Sequence, residues 1–438
     1  MQLTQKIRIF PTAEQQEVLW KLSVRCRLLY NFALAERRKT WEKTGKSVSY
    51  TKQQNDLPEN EEKYPAYRWV YSKVLQMVLK QLDADYKSFF ALWKKGDKNA
   101  RPPKFKGRKY FTTMTYNESG FKVEKGRVAF AHFYNDVPLE FQIPGKFEFD
   151  KVYQVSIFKN GDDFYISITY EKTEKPYIDN GLYQAIDLGI TKIITAVNIH
   201  GKFLEVKNPR PDKYWQPKIE QVQSRRDHCK KGSNRWTCYH KKLTKMQNKC
   251  SNQIRDFQHK LSKKLIENTR ANTIIIGNLN VKQMAESNGN DKKKDRSLHR
   301  AVQNNGYLSR FARFLTYKAR LAGKRVIEIS EKDTTKTCCV CGKKHDMKMQ
   351  DRIMGCDCGN ELDRDRNSAV NIMMRFLSQN ASVDRLLSFK ESILRQTGLA
   401  TASYSQEALT LQGRVVHGTC AVVLVRYVLA YLISFYVA

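Results

Sequence analysis

Between Thr335 and Ile372 the chain reads TKTCCVCGKKHDMKMQDRIMGCDCGNELDRDRNSAVNI, which sets two cysteine pairs, Cys338/Cys341 and Cys356/Cys358, just before a run of carboxylates. Four thiolates on two short knuckles suit Zn²⁺, which takes sulfur ligands in closed tetrahedral coordination. The first pair has the common CxxC spacing; the second, CxC, is tighter. Gly342 and Gly359 sit beside the pairs and favour a zinc ribbon over a redox dithiol. Cys339, inside the first knuckle, reads as a spectator.

Asp363 and Asp365 then open a helix, and one of them, Asp363, has the position of a cap. Far upstream, Asp187 closes the apolar run YQAID. A carboxylate at the end of a buried strand is costly unless it is paired or coordinates a cation. Two or three carboxylates converging from such distant positions would suit two-metal phosphodiester hydrolysis, because Mg²⁺ is a hard ion that prefers carboxylate oxygen.

The positions that must carry these groups lie in a chain of 438 residues, long enough for two or three domains with buried cores. Apolar residues make up 41%, charged residues 28%, and the formal net charge is +34. An excess of that size repels itself unless a polyanion neutralises it, so nucleic acid is the expected partner. An anionic membrane surface fits less well, since the basic residues are spread along the chain and not gathered on one amphipathic helix. MQLTQKIRIF has no apolar signal-peptide core, and the unpatterned cysteines (Cys26, Cys229, Cys238, Cys250 and Cys420) read as free thiols. Both features suggest a reducing, cytoplasmic setting.

In order, Lys6–Phe10 alternates as a strand. Thr12 and Gln15 form a capping box for a helix whose stripe is Val18, Leu19, Leu22, Cys26, Leu29, Tyr30 and Ala33. A polar loop is expected near Asn55–Pro65, followed by a helix over Trp69–Trp93 burying Val74, Leu75, Val78, Leu82, Phe89 and Phe90. Lys73, Gln76 and Lys80 fall elsewhere on that helix, as a solvated face or a nucleic-acid contact. ARPPKFKGRKYF then interleaves Lys104, Lys106 and Arg108 with aromatics that could stack on bases or pack inward. Residues 112–170 read as strands, with a clear hairpin turning at Asn160–Gly161, and suggest a β-barrel-like module with helices inserted. From Tyr183 the pattern becomes three strands, long basic helices through Asn268 (with Arg225, Arg226, Lys241 and Lys242), a strand at Thr273–Ile276, a charged loop containing GNDKKKDR, a helix over Tyr307–Ala322 and a strand at Lys324–Ile329. This is an interrupted, mixed α/β domain.

AIDLGITKIITAVNIHGK, the CxxCG…CxCG knuckle and DRDRNSAVNI together resemble the TnpB family of transposon-encoded, RNA-guided DNA endonucleases, relatives of type V CRISPR effectors. The likeness runs over about residues 1–377 and is most specific at the knuckle and the DRDxNxA segment. It implies an α/β multidomain protein: a RuvC-like, RNase H-type nuclease (181–335 and 362–380) with an inserted zinc-knuckle module for target nucleic acid (336–361). It also implies a β-barrel wedge domain (1–10 and 104–180) carrying a helical recognition lobe (11–103). The implied partners are a guide RNA and target double-stranded DNA beside a short flanking motif. A monomer holding one RNA is the expected assembly.

The resemblance makes Asp187 and Asp365 the first and last catalytic acids, holding two Mg²⁺ ions. The family's usual middle glutamate is missing, because Gly277 and Asn278 follow the Thr273–Ile276 strand. Either the chain is a guide-dependent binder without nuclease activity, or another acid substitutes. Glu331, just past strand Lys324–Ile329, is the favoured substitute, ahead of Glu328 and Asp333. The recognition helices would read the flanking motif and the basic helices would grip RNA and heteroduplex. A CRISPR-type effector with a separate guide is the alternative within the same fold. Residues 381–438 read as a tail of unknown role; Val415–Ala438 is nearly all apolar, but a central Arg426 disfavours a membrane span.

Overall fold

The computed structural model describes residues 1–144, 149–278, 308–348 and 351–397. These form two compact units, Met1–Thr173 and the chain from Glu174 onward. Among the described residues no helix is long and apolar enough to cross a membrane. The apolar stretch 415–438, Cys420 and the GNDKKKDR loop lie outside the described residues.

The first unit opens with strand β1 (Gln2–Ile9) and helix α1 (Ala13–Thr44). Thr12 caps α1 reciprocally with Gln15, and Gly45 ends it at φ +64°, where a side chain would be strained. Every residue of the expected α1 stripe is buried. The expected loop at Asn55–Pro65 is instead two short helices, α2 (Tyr50–Asn55) and α3 (Leu57–Lys63). Pro58 sits in the first turn of α3, where the missing N–H has no partner to lose and the ring starts a helix rather than breaking one. Helix α4 (Ser72–Lys94) buries Val74, Leu75, Val78 and Leu82 as its period requires. Phe89 and Phe90, both expected inside, are half-buried and 48% exposed respectively.

Strands β2 (Met114–Asn117), β3 (Phe121–Glu124), β4 (Arg127–Phe130), β5 (Leu139–Gln142), β6 (Val152–Asn160) and β7 (Asp163–Glu171) complete this unit. They make two antiparallel sheets, ordered β1-β7-β6-β2 and β3-β4-β5. Asn160 pairs with Asp163, so the hairpin's central residues are Gly161 and Asp162, with Gly161 taking φ +64°.

The second unit is a three-layer α/β arrangement. Strands β8 (Tyr183–Asp187), β9 (Lys192–Asn198), β10 (Phe203–Lys207), β11 (Thr273–Asn278) and β12 (Arg325–Ser330) form one sheet, ordered β10-β9-β8-β11-β12. The β8, β11 and β12 strands run parallel, while β9 and β10 fold back antiparallel. At the β8–β9 turn a Cβ on Gly189 would come within 2.7 Å of the Lys192 carbonyl, so only glycine fits. Between β10 and β11 comes a helical hairpin, α5 (Pro211–Asp227) and α6 (Asn234–Asn268), closed by its own core of Ile219, Val222 and Leu243.

Alternation along the central strands divides the core. Ile186, Ile194, Ile274 and Ile276 face Leu265 and Ile266 of α6 and Phe311 and Leu315 of α7 (Leu308–Leu321). Tyr183, Ala185, Val197 and Ile275 face the opposite layer, helices α8 (Arg364–Asn380) and α9 (Val383–Thr397). A small ribbon, β13 (Ile353–Gly355) and β14 (Glu361–Asp363), precedes α8. The start of the expected C-terminal tail is thus helix α9, which buries Leu386, Phe389 and Ile393 against this layer.

Candidate metal centres

The two cysteine knuckles meet. Cys338 and Cys358 sulfurs are 3.6 Å apart, Cys341 and Cys356 sulfurs 3.4 Å, and all four lie within 4.8 Å of one another. Tetrahedral coordination with Zn–S bonds near 2.3 Å would need sulfurs about 3.8 Å apart. The quartet could therefore hold a metal such as zinc. Positive φ at Gly342 (+77°) and Gly359 (+86°) turns each knuckle back on itself. Cys339 points away, and its buried backbone N–H donates to Asn367 Oδ1 at 2.9 Å.

That contact belongs to a clamp that sequence spacing does not reveal. Asn367 and Asn371, one turn apart on α8, both donate to the carbonyls of Thr334 and Thr337, at 2.7–3.3 Å. All four residues are buried. The approach to the first knuckle is therefore fixed to the helix whose first turn carries Asp365. Asn360 Nδ2 donates to Cys338 Sγ at 3.3 Å, and His345 Nε2 lies 3.2 Å from Cys356 Sγ, so the sulfurs also have polar neighbours.

Three acids approach one another where the parallel strands end, more loosely than the four sulfurs, since their oxygens do not all lie within 4.8 Å of one another. Asp187 terminates the central strand β8; Glu331 follows β12; Asp365 sits in the first turn of α8. β11 lies between β8 and β12, and its Gly277 is opposite Ile329, two residues before Glu331. A Cβ on Gly277 would lie 1.8 Å from Glu331 Oε1, so the glutamate carboxylate occupies the space a Gly277 side chain would need. Glu331 Oε1 is buried and accepts no hydrogen bond from the described residues.

Burial pushes the Asp187 carboxyl well above the usual carboxylate range, and the Glu331 and Asp365 charges push it further. Arg364 acts in the opposite sense. Burial alone raises Glu331 to about 7. Asp363 caps α8 through the N–H groups of Asp365 and Arg366 and also pairs with Lys192 at 2.9 Å. Glu205 accepts from Lys192 at 3.0 Å and from Arg366 at 2.6 Å. This four-residue network ties β9 and β10 to the N-terminus of α8.

The basic positions divide. Lys73, Lys80, Lys104, Arg108, Arg225, Lys241 and Lys242 are exposed, and Gln76 is half-buried. Lys106 turns inward: its ammonium lies 3.6 Å from the Tyr30 ring, and Asn31 exchanges two hydrogen bonds with its backbone. A Lys106 ammonium spent on that ring is a structural contact rather than the open phosphate contact its sequence context suggests. Arg226 pairs with Asp227 at 2.6 Å.

Comparison with known proteins finds likeness in both sequence and fold. Residues 1–46 match a helix-turn-helix domain of the OrfB_IS605 type, 167–288 the OrfB_IS605 probable transposase, and 309–372 the Cas12f1-like TNB domain. In this chain the first of these segments is β1 followed by the single long helix α1. A Streptomyces pristinaespiralis protein named as an RNA-guided DNA endonuclease is 26% identical over 411 residues, covering 92% of this chain and 96% of its own. InsQ of Escherichia coli K12, named likewise, is 24% identical over 354 residues, 77% of this chain and 82% of its own. In fold, the chain is similar to Cas12f1 in its complex with single-guide RNA and target DNA, with a TM-score of 0.56 at 11% identity, over 85% of this chain and 98% of that one. In fold the chain is a Cas12f-like α/β protein, and its segments are similar to the OrfB_IS605 transposase and Cas12f1-like TNB models.

Proposed function

We propose that this protein is an RNA-guided DNA endonuclease that uses a transposon-end-derived guide RNA to cut double-stranded DNA beside a short flanking motif. The observation that carries the reading is the Glu331 carboxylate in the side-chain space of Gly277, beside Asp187. The relatives' names support the partners and the reaction; the +34 charge supports a polyanionic ligand.

Asp187, Glu331 and Asp365 are the proposed catalytic acids. Asp187 lies close enough to Glu331 and Asp365 to feel both charges, and Glu331 has a buried oxygen without a partner among the described residues; carboxylates of this kind suit hard divalent cations such as a pair of Mg²⁺ ions. Bound there, Mg²⁺ would supply Lewis-acid stabilisation of charge on the scissile phosphate. The chain's own contribution is to hold the acids: β8 and β12 fix Asp187 and Glu331 through sheet pairing, and the Lys192–Asp363–Glu205–Arg366 network fixes the α8 turn bearing Asp365.

The domain reading follows the same lines. Residues 181–335 and 362–380 form the RuvC-like nuclease, 336–361 the zinc-binding target-nucleic-acid module, 11–103 the recognition lobe, and 1–10 with 104–180 the wedge, read as a barrel. Lys73, Gln76, Lys80, Lys104, Arg108, Arg225, Arg226, Lys241 and Lys242 are the proposed nucleic-acid contacts, and the setting is intracellular. The test is plasmid cleavage by the purified ribonucleoprotein with Mg²⁺, comparing wild type with Asp187→Ala and Glu331→Ala. Guide-matched binding without cleavage by the wild type would make the chain a programmable binder, and normal cutting by Glu331→Ala would remove Glu331 from the site.

A further inference from the structure

The first unit holds a cavity of about 760 Å³ between the far ends of α1 and α4, within the range of ligand pockets, ~300–1,000 Å³. Its α4 wall is Tyr86, Phe89, Phe90 and Trp93, spaced i, i+3, i+4, i+7 on one helix face; its α1 wall includes Arg37 and Trp41, one turn apart. A helix stripe of that kind ordinarily packs inward, but here Trp41 is 62%, Phe90 48% and Trp93 64% exposed. Aromatic faces left in solvent on this scale mark an interaction surface.

Charge selects the kind of partner. Arg38 and Lys87 join Arg37 in the lining, against the carboxylates of Glu42 and Asp83. Lys46, Lys94 and Arg101, all exposed, adjoin lining residues in the sequence. Arg37 is itself only 8% exposed. It spends Nε on Gln53 and Nη1 on Asp83, at 2.8 and 3.3 Å, but its buried Nη2 has no acceptor among the described residues. A buried guanidinium donor left unmet beside a row of aromatic faces calls for a ligand with both a π face and an acceptor. A second copy of so basic a chain would bring like charges together.

We propose that this cavity receives unpaired nucleobases of a single-stranded segment, stacked on Phe90, Trp93 and Trp41, with a base carbonyl or phosphate oxygen accepting from Arg37 Nη2. Bases within a duplex hide their faces in the stack, so the site discriminates by strandedness rather than by sequence. The inference rests on the reading of the partner as nucleic acid and adds a specific subsite to it.

The test uses the full-length protein and a short single-stranded DNA carrying iodinated deoxyuridine, which cross-links on irradiation to aromatic side chains stacked on it; the same sequence as a duplex is the comparison. Cross-links are expected in the Trp41 and Phe90–Trp93 peptides. Phe90→Ala and Trp93→Ala, both at exposed positions outside the packed core, should weaken single-strand binding about tenfold and leave duplex binding unchanged. Cross-links only elsewhere, with both variants binding as wild type, would overturn the subsite while leaving the proposed function standing. Failure of any oligonucleotide to bind would overturn both. If the variants instead turn a dimer into a monomer by light scattering without weakening single-strand binding, the surface is a copy-to-copy interface and the proposal fails.

Discussion

Glu331 reaches from the end of β12 across to β11 and fills the volume that a side chain on Gly277 would occupy, its Oε1 only 1.8 Å from where that Cβ would stand. The two positions are alternatives in space: an acid can be supplied from either strand, but not from both.

Relocating the acid tests this relationship. Glu331→Ala should lower plasmid cleavage by about 10²–10³-fold, the loss expected when a metal site misses one carboxylate. Gly277→Glu alone should be destabilised by about 1–3 kcal/mol through overpacking. Combining the two substitutions should recover part of the cleavage and most of the melting temperature. Recovery of neither would mean that the shared volume is only steric.

Removing metal from the cysteine quartet should loosen the knuckle without unfolding the sheet. Cys341→Ser, or treatment with a chelator, should abolish stoichiometric zinc by elemental analysis. Amide protection should fall across 336–361, while the central strand β8 stays protected. Unchanged protection at the knuckle would mean that its hydrogen bonds suffice to hold it.

The Asn367–Asn371 clamp predicts a stability cost that neither residue's type announces. Asn371→Ala removes one of the two donors to each of the buried Thr334 and Thr337 carbonyls, with Asn367 still bonded to both, and should cost about 0.5–1.5 kcal/mol in urea melts. The exposed Glu361→Ala substitution should stay within about 0.5 kcal/mol.

His259 should give the second unit an acid-sensitive step that does not involve metal. Its ring stacks on Phe314 at 3.8 Å, and burial, with Lys318, Arg255 and Arg310 nearby, lowers its pKa from 6.5 to about 4; Asp256 opposes the shift. Between those values the unfolded chain binds more protons than the folded one, so stability rises with pH through this window. The contribution is fully present above pH 6.5 and lost as pH falls towards 4. After solvent screening it is on the order of 1 kcal/mol. Denaturant melts at pH 7 and 4.5 should show His259→Gln losing less on acidification than wild type; an equal loss would place the acid sensitivity elsewhere.

Local information went far where periodicity or spacing is the physical cause. The α1 stripe and its Thr12–Gln15 box follow from a 3.6-residue repeat and a short-range hydrogen bond, so both can be read from the letters alone. The cysteine pairs are marked the same way, since each knuckle is closed by residues a few positions apart. The loop expected over 55–65 is helical for a local reason as well: Pro58 stands in the first turn of α3, where proline starts a helix rather than breaking one.

What the letters left undecided depends on groups that meet only after folding. That Phe90 lines an open cavity, that Lys106 turns onto Tyr30, and that 383–397 completes a buried layer are results of how far each neighbour extends. The same holds for the acids. A glycine after one strand and a glutamate after another carry no sign of each other, because 53 intervening residues separate Gly277 from Glu331 in the sequence and only parallel pairing of β11 with β12 brings them into one volume. Sequence determined which chemistries this chain can carry; the sheet, by fixing which strand ends adjoin, decided where their side chains come together.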